Sequence, residues 1–120
     1  MNALNWFEIP VVDIERAATF YSAILGAEVR TGEAGSGPQM ATLPSKDGVG
    51  GALVQGEGYT PSAHGALVYL NGGADCGVIL SRVQAAGGKV LRPKTDIGEY
   101  GFFGTFLDTE GNRIAVHSMG

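Results

Sequence analysis

The chain has 120 residues, a formal net charge of −4 and eight Lys and Arg residues scattered along its length. That length suits one domain with its own hydrophobic core. The scattered cations form no basic stripe for nucleic acid, and no apolar run approaches the roughly 18 residues needed to span a bilayer, so neither partner is expected.

The segment Met1-Asn2-Ala3-Leu4-Asn5 has no basic region followed by an apolar run, so no signal peptide is expected. Cys76 is the single cysteine, which rules out an intramolecular disulfide and fits a reducing, cytoplasmic setting. The 20 glycines are dispersed rather than periodic, which excludes a collagen-like repeat.

Leu4 to Val12 is extended and apolar, with Pro10 favouring a strand end or sheet edge. Asp13 is placed to cap a helix from Ile14 to Leu25, with Ile14, Ala17, Ala18, Tyr21 and Leu25 on one face and Gly26 as its stop. Short strands follow at Ala27–Arg30, Gln39–Leu43 and Gly51–Gln55, separated by turns rich in Gly, Ser and Pro. Gly56 to Ala63 reads as a linker. Ala66–Asn71 is the next strand, Asp75 caps a helix reaching Ala86, and Gly87 ends it. Strands at Lys89–Arg92, Phe102–Leu107 and Arg113–His117 complete the chain.

The second half repeats the first at an offset of 61 residues, visible in Gly26 and Gly87 and in Asp47 and Asp108. A duplicated unit is therefore expected within the single domain 1–120. Module one covers about residues 1–56, the linker about 57–63 and module two about 64–120.

Trp6–Asp13, Arg16–Tyr21 with Ile24-Leu25-Gly26, Val68–Asn71, Ala85–Val90 and Phe106–Ile114 together resemble the vicinal oxygen chelate superfamily, which includes glyoxalase I, bleomycin-resistance proteins and extradiol dioxygenases. Thr109 departs from the proline common in that last motif, and one glycine is inserted at Gly72-Gly73. The resemblance implies an α+β fold of two βαβββ modules. Each is a curved, half-open mixed sheet around a cavity, with its helix outside. It also implies a homodimer.

Enzymes of the family hold a divalent metal with His, Glu or Gln side chains from the first and last strands of each module, where it acts as a Lewis acid. The matching positions here are Trp6, Val54, Leu67 and Ala115, none of which carries a metal donor. No metal or other cofactor is therefore expected. A metal-dependent lyase or dioxygenase is the competing reading.

Residues two further along a strand share its face. That step leads from the empty metal positions to Glu8, Tyr69 and His117, with Asn71 beyond. Glu8 is the candidate base; Tyr69, Asn71 and His117 are candidate hydrogen-bonding contacts. Trp6 and Phe103 are candidate walls for a flat ligand. The expected function is binding of a small organic ligand without metal, with metal-independent acid–base catalysis through Glu8 as an alternative. The segment Lys94–Gly101, polar and bracketed by glycine, is a candidate lid.

Overall fold

The computed structural model describes residues 2–32 and 37–120. The turn expected between the second and third strands falls partly on residues 33–36, outside the described residues. The elements run β1 (Trp6–Pro10), α1 (Ile14–Leu25), β2 (Arg30–Thr31), β3 (Gln39–Thr42), β4 (Gly50–Gln55), β5 (Val68–Asn71), α2 (Cys76–Val83), β6 (Lys89–Asp96), β7 (Phe102–Leu107) and β8 (Arg113–Ser118). They form two mixed sheets, β1-β4-β3-β2 and β5-β8-β7-β6. In each, the first and last strands of the module run parallel and the other pairs antiparallel. This is the two-module α+β architecture that the resemblance implies, with open sheets.

Local chemistry sets the helix limits. The Asp13 carboxylate accepts from the Arg16 N–H at 3.1 Å, satisfying one of the free donors of the first turn. Gly26 closes α1 with φ of 65°, a left-handed conformation that glycine adopts without a Cβ penalty. In α2 the Asp75 carboxylate accepts from Gly77 N–H at 2.8 Å. α2 stops at Val83, three residues short of Ala86, because its last turn tightens. Gly87 N–H bonds back only three residues, to the Gln84 carbonyl at 3.1 Å, and Gly88 N–H closes the end on the Val83 carbonyl at 2.9 Å. A side chain on Gly88 would sit 2.6 Å from the Leu107 carbonyl and 2.8 Å from the Phe20 ring, so that close approach needs glycine.

Alternation then assigns the faces. Phe7, Ile9 and Val11, with Leu53 on β4, turn toward the helices, as do Val68, Leu70, Phe106, Ile114 and Val116 in module two. These residues share one core. Phe20 on α1 meets Phe106 on β7 with ring centroids 6.0 Å apart, and both are buried. Burying each such ring contributes about 2–3 kcal/mol, so the two modules stabilise one another.

Two expectations change. The offset of 61 fails in the last strand. Glu8 pairs with Ala52 in β4, whereas Tyr69 pairs with Ala115 in β8, an offset of 63. The residues that receive the first helical N–H confirm it: Ile14 N–H donates to Gln55 Oε1 at 2.8 Å and Cys76 N–H donates to Ser118 Oγ at 2.7 Å. From Asp47 to the start of β4 at Gly50 is two residues shorter than from Asp108 to the start of β8 at Arg113. The slip is even, so every residue keeps its face. The strand counterpart of Ala115 is accordingly Ala52 rather than Val54.

Second, Lys94–Gly101 is the end of a hairpin. β6 continues to Asp96, and Thr95 and Asp96 pair with Phe103 and Phe102. Lys94 donates to Asp75 at 2.8 Å and lies 4.6 Å above the Phe102 ring. A 3-10 turn, Gly98–Tyr100, makes the tip. Pro93 sits in the irregular part of β6, an edge strand, where its missing N–H costs no ladder bond.

Candidate functional site

The helix-free face of each sheet is exposed in part. In module one it carries Trp6, Glu8 and Pro10 on β1, with Gly50, Ala52 and Val54 on β4 and Met40 and Thr42 on β3 in register. Trp6 is 45% exposed and Met40 38%. In module two it carries Tyr69 and Asn71 on β5, Ala115 and His117 on β8, and Phe103 and Thr105 on β7.

The modules meet through the turn 108–112. Glu110 accepts from the N–H groups of Val12 and Asp13, both at 2.8 Å, and from Arg16 Nε and Nη2 at 2.7 and 3.0 Å. Burial alone would raise this carboxyl. The bonds from Arg16, the Asp13 N–H, the Thr109 hydroxyl and the Val12 N–H outweigh it and hold the group at about 2. Tyr21 donates to Asp108 at 2.7 Å, and burial first, then the Asp108 carboxylate, push the phenol well above its ordinary value. Asn112 donates to the Pro10 carbonyl at 2.7 Å.

The matching clasp on the other side of the repeat is missing. Counting from the helix caps Asp13 and Asp75, the counterpart of Arg16 is Val78. Counting from Asp47 and Asp108, the counterpart of Glu110 is Val49. Where module two clamps module one with an ion pair, the opposite junction has two valines, Val49 on module one and Val78 on module two. Both line a cleft of about 960 Å³ between the modules, with Phe7, Leu25, Leu43 and Ile79 as further apolar walls. Glu8, Tyr69 and Asn71 supply polar groups to the same cleft. Arg82 spans its back, donating to the Ile24 carbonyl at 3.2 Å, where a cation also suits the negative end of α1.

The Glyoxalase/Bleomycin resistance protein/Dioxygenase superfamily model matches residues 3–116. The chain belongs to this superfamily. Its fold is similar to a glyoxalase-related enzyme from Fulvimarina pelagi, with 18% identity, a TM-score of 0.70 and coverage of 98% of this chain and 88% of that one. An antibiotic binding protein from Streptomyces sp. CB03234 is also similar, at 22% identity and a TM-score of 0.64, with 98% and 96% covered. A glyoxalase I mutant from Zea mays matches at 21% identity and a TM-score of 0.72 over 97% of this chain but 46% of the maize chain, so the present chain spans about half of that enzyme. No curated protein matches the sequence.

The donor set at the superfamily's metal positions does not fit a metal. Trp6, Leu67, Ala115 and Val54, or Ala52 after the register correction, offer no coordinating atom. Among the described residues no three His, Cys, Asp or Glu side chains converge to hold an ion.

The predicted site residues fall into two groups. Trp6 and Glu8 adjoin on module one, where Trp6 Nε1–H points to Glu8 Oε2 at 3.4 Å. On module two the Tyr69 and Phe103 rings lie 6.3 Å apart, beside Asn71 and His117, which pair across β5 and β8. Glu8 and His117 form no ion pair among the described residues. His117 Nε2–H donates instead to the Tyr100 carbonyl. β5 links the groups, because Tyr69 and Asn71 belong to both the open face and the cleft that Glu8 lines.

Sequence reasoning missed two side chains here. Tyr59, in the linker, donates to Glu8 Oε1 at 3.1 Å, and this bond raises the phenol above its ordinary value. Arg92 lies with its guanidinium carbon 5.6 Å from the centre of the Phe103 ring. Hairpin pairing was the available signal for Arg92, but the irregularity around Pro93 hides the register.

Proposed function

We propose that this protein binds a small organic molecule in the cleft and on the adjoining open face of module two, without the metal used by enzymes of its superfamily. The observation that carries this reading is the substitution at the metal positions. Apolar side chains replace ligands there, while aromatic and hydrogen-bonding groups surround them: Trp6, Glu8 and Tyr59 on one side, Tyr69, Asn71, Phe103 and His117 on the other. Apolar walls with a few convergent polar groups are the usual make-up of a small-molecule site. The Streptomyces relative, by its description an antibiotic binding protein, supports the same direction. A homodimer is part of the proposal, since Trp6 and Met40 stand exposed on the open sheet face of module one. So is a cytoplasmic location, in keeping with a single buried, free thiol at Cys76.

A thermal-shift screen of aromatic and heteroaromatic compounds, with and without EDTA, tests the reading. A ligand that binds only the folded state raises its melting temperature. At least one compound should do so equally in both conditions, and Glu8→Gln or His117→Ala should weaken the shift while leaving the ligand-free melt in place. A screen with no shift, or shifts abolished by EDTA, would rule the reading out.

A further inference from the structure

The open face of module two has a charge character opposite to that of the whole protein. Three rows cross it in register. Lys89 pairs with Leu107, which pairs with Arg113; Arg92 pairs with Thr105, which pairs with Ala115 and then Tyr69; Thr95 pairs with Phe103, which pairs with His117 and then Asn71. Side chains paired in register share a face. This face therefore carries Lys89, Arg92 and Arg113 and no carboxylate, in a chain whose net charge is −4. The acidic residues of module two lie elsewhere. Asp75 caps α2 and binds Lys94, Asp96 sits in the Phe102 row on the helix side, Glu99 is at the hairpin tip, and Asp108 and Glu110 are in the clasp.

Among the described residues, none of the three cations is in an ion pair; the pairs are Arg16–Glu110, Arg30–Glu28 and Lys94–Asp75. Arg92 is the best placed of the three. Its guanidinium packs on the Phe103 ring, and the Tyr69 ring lies on the far side of Phe103 at 6.3 Å. A planar guanidinium fixed over an aromatic ring keeps its outer N–H groups in a fork that matches a carboxylate or phosphate. A ring and a forked cation side by side complement a flat ligand that carries an anionic group.

We infer that the ligand of this site is a planar aromatic anion, its ring against Phe103 and Tyr69 and its carboxylate or similar group on Arg92, with Lys89 and Arg113 adding a long-range attraction. This rests on the small-molecule reading above and narrows it to one ligand class. It also assigns specificity to Arg92, a residue outside the superfamily's metal positions.

Three probes sharing one ring separate the possibilities: 2-naphthoate, 2-naphthylmethanol and 2-naphthylmethylammonium, titrated calorimetrically into the purified full chain at low and moderate salt. Naphthoate should bind at least about tenfold more tightly than the alcohol, the ammonium weakest, and added salt should weaken naphthoate most. Arg92→Gln should bring naphthoate to within about threefold of the alcohol. Arg92→Lys should recover only part of the preference, because a lysine keeps the charge but not the fork. Lys46→Gln, on the other module, should change nothing. Equal binding of naphthoate and alcohol, or a preference that survives Arg92→Gln, overturns the anion assignment and leaves ligand binding standing. No heat from any probe, with a folded protein by circular dichroism, overturns both. Loss of a dimer in Arg92→Gln by sedimentation, with the naphthoate preference intact, would make this face a subunit contact and overturn the inference.

Discussion

Replacing Glu110 by Gln tests how the modules are joined. The side chain has no exposed surface, yet its partner Arg16 is 50% exposed. The carboxyl is held at about 2, against 4.5 for an unperturbed glutamate. A shift of that size corresponds to about 3 kcal/mol if converted in full at ~1.4 kcal/mol per unit. Solvent around Arg16 screens the pair, so about 1–2 kcal/mol is the expected contribution. Because the folded-state value is depressed, the stabilisation is fully present above about pH 5 and is lost as pH falls toward 2, with about half remaining near pH 3. Glu110→Gln keeps the shape but removes the charge. Thermal melts at pH 7 should drop by roughly 3–8 °C, and the gap between the two proteins should shrink by about half at pH 3. Equal melting temperatures at pH 7, or a gap that does not narrow in acid, would show that the ion pair does not hold the modules together.

Other positions give independent checks. Tyr21→Phe removes the buried donor to Asp108 and should cost about 1–2 kcal/mol in urea unfolding; a change under about 0.5 kcal/mol would mean that the bonds from Asn112 and from the Glu110 N–H already satisfy Asp108. Gly104→Ala places a Cβ 2.5 Å from Leu80 Cδ1 and 2.8 Å from the Arg92 carbonyl, so β6 must move or α2 must yield. It should cost about 1–3 kcal/mol in the same assay and weaken naphthoate binding by displacing Arg92. An unchanged urea midpoint would contradict the packing of α2 on β7.

Much of the fold is written locally in the chain. Asp13 and Gly26 bound α1 because a cap carboxylate and a left-handed glycine act within a few residues of themselves. The alternation in β1 and β5 fixes which side chains face the helices for the same reason. The residue types at Trp6, Leu67 and Ala115 were legible too, being a property of the sequence itself, but the fourth position moved from Val54 to Ala52 with the register. The repeat was legible to within one strand; the longer turn before β8 moved the register by two without changing a face.

The sequence by itself determined two βαβββ modules, the limits of α1 and the start of α2, and an open face with Trp6 and Glu8 on one module and Tyr69, Asn71, Phe103 and His117 on the other. Only the tertiary structure decided how those groups combine. The clasp from Glu110 to Arg16 joins residues 94 apart, and the cleft opposite exists because Val49 and Val78 stand where that clasp would repeat. Arg92 reaches Phe103 across a hairpin with an irregular register. Such contacts depend on how strands pair and modules dock, and no local pattern of residues encodes them.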